Sequence, residues 1–311
     1  MGIPNLNKLM TDRGGQYIYK MHLKELNGKT ICVDISIYLY KFLGQGKLVE
    51  NFYTMLSLFR YYNIHAVFVF DGKPPDEKSE LLKKRKMDKK EAETKFKELQ
   101  QEVTKDNISQ EMKNEYNIEM EKLRKQFIRI KNFHIQHVKS LILNFGQTYI
   151  DAEGEADTLC AYLVKNDIVW ATMSDDMDMF AYNCKRVLRY LSLMNHNILY
   201  YDFENILHSL DISIGEFQYI IASCGTDYNV QQNRNIQIVY NNIMKIKKTN
   251  NSESDILDLY CSKYNVNKDE MENVISLFIL DTKMNYQQVI GEYNHLQLMS
   301  FLENHGFVFI T

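Results

Sequence analysis

Short apolar runs rich in valine, isoleucine and aromatic residues alternate along the chain with longer stretches of helical periodicity. TICVDIS (30–36), AVFVFD (66–71), QTYID (147–151), DIVWATMS (167–174) and RVLRYL (186–191) read as strands. Between them, LVENFYTMLSLFRYY (48–62) and EADTLCAYLVKN (155–166) carry apolar residues at helical spacing. Strands that alternate with helices make βαβ units. The expected fold is therefore α/β, with a mostly parallel central sheet flanked by helices.

One segment breaks the alternation. Residues 73–145 hold no glycine, and no proline follows Pro75; from Ser79 to about Leu143 the chain is dominated by Lys, Glu, Gln and Met. These are strong helix formers, so two or three long charged helices are expected to be inserted between strands. A charge run of this kind is ordinarily a solvated helical face. Its beginning is different: Lys78 to Lys90 carries seven basic residues against two acidic ones, directly after the turn signal DGKPP (71–75).

Composition narrows the class without choosing the chemistry. At 311 residues the chain can bury a full core, as one large domain or two joined ones. No apolar run approaches the length of a membrane span, and MGIPNLNKLM has neither the basic start nor the apolar core of a signal peptide. Five scattered cysteines with no CxxC pair suggest reduced core residues in an intracellular, non-secreted protein and argue against zinc. A net charge of −3 gives no global signal for nucleic acid, so any such signal must be local.

The local signal is a set of acids at strand ends. Asp34 closes TICVD, Asp71 closes AVFVFD, Asp176 and Asp178 follow DIVWATMS, and Glu155 and Asp157 follow QTYID in the first turn of the next helix. Taken singly, Asp34 or Asp71 reads as a helix cap or turn former, and Glu155 and Asp157 as acids placed on a helix dipole. Taken together, the carboxyl ends of parallel strands meet at one crevice. Six like charges there repel strongly unless they are protonated or share divalent cations. Ligands that are all oxygen suit Mg²⁺ or Mn²⁺, and a pair of such ions is the usual apparatus of phosphodiester hydrolysis. No GxSxG and no glycine-rich phosphate loop offers another mechanism.

These same blocks resemble the flap endonuclease/XPG family of structure-specific 5′ nucleases over nearly the whole chain. MGIPNLNKLM is similar to the family's start, and VDISIYLYKFL (33–43) and VFVFDGKPPDEKSELLKKR (67–85) to its first two blocks. EADTLCAYL (155–163), SDDMDMF (174–180) and GTDYN (225–229) follow in family order. The resemblance implies a PIN-like nuclease core over 1–228, with a helical arch inserted at about 76–133, and a helical DNA-binding region over 229–311. It implies that Asp34, Asp71, Glu155, Asp157, Asp176, Asp178 and Asp227 hold two Mg²⁺ ions, with Mn²⁺ able to substitute, and that Asp175 is a neighbour of the ligands. Lys78 and Arg85 match arch residues that contact the scissile phosphate, and their spacing of seven puts them on one helix face. Tyr40 matches an aromatic on which a nucleobase stacks, a core aromatic being the plain alternative; Gly2, Lys83 and Lys84 fall among the implied nucleic-acid contacts.

The expected activity is a 5′ flap endonuclease with 5′→3′ exonuclease action on branched or flapped DNA, working as a monomer in replication, repair or recombination. Two other readings stand beside it: a catalytically silent protein that binds branched DNA, and an RNA-directed 5′ exonuclease, since phosphate contacts carry no base information. The sequence departs from the family pattern twice. The family's helix–hairpin–helix turn, which often holds K⁺, is replaced by residues 229–248, which have neither glycine nor proline. A K⁺ site is therefore left open, and Arg234, Lys245, Lys247 and Lys248 become the candidate duplex grip. No sliding-clamp motif is recognisable near FVFIT (307–311).

Overall fold

The computed structural model describes residues 3–104, 108–229, 231–249 and 253–308. Eight strands form one sheet: β1 (Ile18–His22), β2 (Thr30–Asp34), β3 (His65–Phe70), β4 (Thr148–Asp151), β5 (Ala171–Met173), β6 (Arg186–Ser192), β7 (Asn197–Asp202) and β8 (Gln288–Ile290). Their spatial order is β1-β7-β6-β5-β2-β3-β4-β8. The five central strands, β6 to β4, pair in parallel, while β7 and β1 on one side and β8 on the other add antiparallel edges. The expected parallel core is present, and β1, β7 and β8 extend it beyond what the sequence pattern showed. The run 167–174 yields only three strand residues, because Asp167 adopts a left-handed turn and Ile168 faces solvent.

Side chains alternate between the two faces of the parallel core. Cys32, Val67, Val69, Ile150, Val187 and Tyr201 pack on one side, against the helices Leu6–Gly14, Ala156–Lys165, Phe203–Leu210, Ile214–Cys224 and Ile236–Lys247. Ile31, Val33, Phe68, Phe70, Met173 and Leu188 pack on the other, under Ile35–Gly44, Leu48–Tyr61, Asn132–Asn144 and His295–Glu303. All five cysteines are free and buried, as expected of core residues.

The glycine-free segment is a helical hairpin that leaves the sheet after β3. Helix Ser79–Val103 has 25 residues and is about 37 Å long. Ala92 is its one buried residue, so the sheet does little to hold it. It lies beside Gln110–Gln126, whose Ser109 cap accepts from Met112 N at 3.3 Å. Phe96 and Phe127 (5.4 Å between ring centres), Lys95–Glu119 (3.1 Å) and Arg129–Glu93 (2.5 Å) tie the pair together. The third inserted helix, Asn132–Asn144, returns to the core through Val138, Leu141 and Ile142. The C-terminal region is helical apart from β8, which joins the sheet beside β4. Among the described residues no helix is long and apolar enough to cross a membrane.

Candidate metal centre

The carboxyl ends of β2, β3 and β5 are adjacent, and each delivers an acid. Asp34, the last residue of β2, is 6% exposed and does two jobs. Its Oδ1 accepts from Ser36 N (3.2 Å), capping the helix Ile35–Gly44, and its Oδ2 accepts from Ser174 Oγ (2.9 Å). The structural and the clustering readings of this residue therefore hold together. Asp71 follows β3; its Oδ1 accepts from Ala156 N (2.8 Å) and its Oδ2 from Ser36 Oγ. Beside it, Gly72 N donates to Gly154 O (2.7 Å) and Lys73 N to Glu153 O (3.1 Å), so the turn after β3 grips the loop carrying Glu155. Only glycine fits here, because a Cβ on Gly72 would lie 2.1 Å from Ala152 O.

Glu155 and Asp157 open the helix Ala156–Lys165. After β5, Asp176 N donates to Ser174 Oγ and Asp178 N to Asp176 Oδ1, both at 3.2 Å. Asp178 is 2% exposed and its Oδ1 has no partner. Asp227 sits just beyond the helix Ile214–Cys224.

The acids feel one another. Burial, then Asp71 and Asp157, push Asp34 up to about 8, against the bond from Ser174. Burial pushes Asp157 up to about 7; Lys78 opposes, and Glu155 and Asp176 add. Burial followed by Asp176, Asp227 and Asp157 holds Asp178 well above the usual carboxylate range. Through these interactions all seven predicted acids share one electrostatic neighbourhood. As their side chains stand, however, among the described residues no group of three or more His, Cys, Asp or Glu is arranged to hold a metal ion. Serines, backbone amides and arch cations hold the carboxylates instead.

Two of those cations are the predicted ones. Lys78, 6% exposed at the foot of the arch, lies 2.7 Å from Glu155 Oε1 and 3.9 Å from Asp157 Oδ2, with its ammonium 4.8 Å from the centre of the Tyr228 ring. Burial opposes its charge, but Asp157, Tyr228 and Glu155 outweigh that and raise its pKa. Arg85 Nη2 lies 2.9 Å from Asp227 Oδ2. The donor set fits a hard divalent cation: every candidate ligand is a carboxylate, one buried oxygen is unpartnered, and the mutual repulsion is of the kind a cation relieves.

The other predicted residues scatter. Lys83 and Lys84 are exposed on the arch. Tyr40 is 41% exposed, which sets aside the core reading, and Lys89 covers its ring at 4.8 Å. Gly2 lies outside the described residues. Lys245 and Lys248 face solvent, but Lys247 bonds Glu216 Oε2 (2.9 Å) and Asp211 O (2.6 Å), and Arg234 reaches Tyr264 O (3.5 Å). Of the four candidate duplex contacts, Lys245 and Lys248 thus point outward, while Arg234 and Lys247 are engaged within the chain. Glu216 is 2% exposed and needs a cation, a demand that local sequence does not reveal. Sequence reasoning also passed over Ser36, Ser174 and Tyr228, whose hydroxyl donates to Glu155 Oε2 (3.2 Å). The signal was there: VDIS and MSD each set a serine within two residues of an acid.

Known proteins share much of this sequence and fold. The XPG N-terminal domain matches residues 1–92 and the XPG I-region residues 146–227. Flap endonuclease 1 of Drosophila yakuba is 32% identical over 247 residues, covering 73% of this chain and 60% of the relative. The probable RAD2-like endonuclease 369L of Invertebrate iridescent virus 6 is 26% identical over 309 residues, covering 83% of this chain and 74% of the relative. The chain thus spans about 60% of the length of the flap endonuclease 1 relative. In fold, the catalytic core of Rad2 in complex with DNA substrate matches with a TM-score of 0.65 at 20% identity, over 94% of this chain and 93% of that one. Flap endonuclease-1 from Methanococcus jannaschii matches with a TM-score of 0.63 at 19% identity, over 94% and 91%. With both XPG regions present in order around an inserted helical arch, the chain belongs to the XPG family of nucleases.

Proposed function

We propose that the chain is a divalent-metal-dependent, structure-specific 5′ nuclease that cuts 5′-flapped or branched DNA, with accompanying 5′→3′ exonuclease action. The observation that carries this reading is one electrostatic neighbourhood of seven carboxylates around the carboxyl ends of the parallel strands, with Lys78 paired to Glu155 and Arg85 to Asp227. Asp34, Asp71, Glu155, Asp157, Asp176, Asp178 and Asp227 would hold the cations, and Mg²⁺ or Mn²⁺ suits their oxygens. Once bound, a pair of such ions supplies an activated water and stabilises charge on the attacking and leaving oxygens.

The chain's own residues do the rest. Lys78 and Arg85 project from one end of the arch at the edge of the acid cluster. A scissile phosphate there competes with Glu155 and Asp227 for their donors, so both can bind and orient it. Tyr40, exposed beside Lys89 of the arch, offers a stacking face once that lysine moves aside. The arch hairpin is joined to the body at its two ends, which suits a device that encloses a single strand with a free 5′ end. Residues 1–228 carry all of these groups and form the catalytic core in this reading. Residues 229–311 form the duplex-binding region, with Lys245 and Lys248 outward.

The test is Mg²⁺-dependent incision of a 5′-flap oligonucleotide. Asp176→Ala abolishes it while circular dichroism stays native; unchanged cleavage by that variant overturns the assignment. DNA binding in Ca²⁺ measured beside cleavage in Mg²⁺ separates an active nuclease from a silent binder. Matched DNA and RNA flaps give the substrate class.

A further inference from the structure

Strand β6 read in the sequence only as a strand, yet it contains a buried arginine and a strained tyrosine. Arg189 is 3% exposed. Its Nη2 donates to Asp175 O (2.6 Å), its Nη1 reaches Asn7 Oδ1 (3.5 Å), and its Nε has no partner. The guanidinium lies against the rings of Tyr190 (4.6 Å) and Tyr201 (5.4 Å), and the Tyr201 hydroxyl also bonds Asn7 Oδ1 (2.7 Å). Tyr190 is 49% exposed and has φ 57°, a left-handed conformation that is strained for a bulky residue. The ladder to β7 shifts register between Arg189 and Ser192.

This departure from regular strand geometry has one visible return. Three consecutive β6 residues hold the two that precede Asp176: Leu188 O accepts from Ser174 N (3.1 Å), Arg189 binds Asp175 O, and Tyr190 N donates to Asp175 Oδ1 (2.6 Å). The Asp175 carboxylate is thereby engaged by β6, and its backbone is clamped where the chain enters Asp176 and Asp178. A buried guanidinium that takes no oxygen from the candidate ligands suits a support better than a substrate contact.

We propose that Arg189, Tyr190 and Asp175 form a brace that positions Asp176 and Asp178 for divalent-cation binding. The brace rests on the nuclease reading of the acid cluster and adds positioning residues to it. Support by geometry and support by charge predict opposite results. A purely electrostatic Arg189 repels cations, so Arg189→Met would tighten their binding and Arg189→Lys would leave it unchanged. A brace needs the planar fork, so both substitutions weaken binding.

Mn²⁺ binding to the full chain, read by calorimetry and by electron paramagnetic resonance without substrate, decides between them. Arg189→Lys and Arg189→Met are each expected to weaken Mn²⁺ binding by about tenfold or more. Asp175→Asn, which keeps the acceptor for Tyr190 N, stays within about threefold of wild type, and Asp175→Ala loses about tenfold. If the arginine variants fail to fold, the Asp175 pair alone decides. Wild-type-like binding by Asp175→Ala overturns the brace, as does wild-type-like or tighter binding by folded arginine variants, and the nuclease reading is left standing. Equal, severe loss in Asp175→Asn and Asp175→Ala overturns it too, by making Asp175 a ligand. Absence of Mn²⁺ binding in the wild type removes the nuclease reading and the brace together.

Discussion

Replacing Lys78 with methionine keeps the stem of the side chain and removes the charge that Glu155 and Asp157 face. The lysine side chain is 8% exposed and its two acids 17% and 15%, so water screens the pair little. Removing one partner of a buried ion pair costs about 3–5 kcal/mol. Here the low end applies, about 3 kcal/mol, because Asp157, already pushed up to about 7, can shed its charge by taking a proton. At about 2–4 °C per kcal/mol, the melting temperature should fall by about 6–12 °C in EDTA at neutral pH. Adding Mg²⁺ should close much of the gap, since a bound cation neutralises the same carboxylates and stabilises only the folded chain. Thermal unfolding followed by intrinsic fluorescence, with and without Mg²⁺, measures both numbers. A drop under about 2 °C in EDTA would refute the buried pairing. A full drop that Mg²⁺ leaves untouched would show that no cation reaches Glu155 and Asp157.

Gly72→Ala forces a methyl group into the carbonyls of Ala152 and Glu153, both backbone atoms that cannot swing aside. A loss of about 1–3 kcal/mol is expected in urea unfolding, with weaker Mn²⁺ binding because the Glu155 loop must shift; a neutral result would mean that the two loops are not held as described. Burial, then Asp202 and Tyr19, push Tyr200 up to about 12 from an ordinary value of 10.0. The folded chain keeps that proton where the unfolded chain gives it up, so this contribution is complete below pH about 10 and lost towards about 12. Tyr200→Phe should therefore lose less melting temperature between those limits than wild type, and parallel curves would refute the assignment.

What the sequence made legible was what repetition and charge make conspicuous. The central parallel strands are buried on both faces and stand out as apolar runs, and their terminal acids are conspicuous because nothing apolar explains them. β1 and β8 carried no such mark: β1 buries only Met21 and β8 buries nothing, so neither shows a periodic face. Arg234 and Lys247 looked like surface charge until partners distant in sequence, Tyr264 and Glu216, claimed them. Arg189 was hidden for the same reason, since its meaning lies in a carbonyl fourteen residues upstream, across a strand pair. Contacts set by tertiary placement leave little local trace, and most of the site's supporting bonds are of that kind.

β8 has a consequence for how the molecule is made. Its three residues pair with Thr148, Tyr149 and Ile150, so the edge of β4 stays open until nearly the whole described chain has been synthesised. An uncovered strand edge invites pairing with another chain, and contacts this distant in sequence form slowly. A nascent or truncated chain ending near residue 228 would hold every carboxylate and both arch cations, yet expose a sticky edge beside them. Residues 229–311 are thus more than an appendage to the acid cluster: through β8 they cover an edge of the sheet that carries it and guard that edge against self-association.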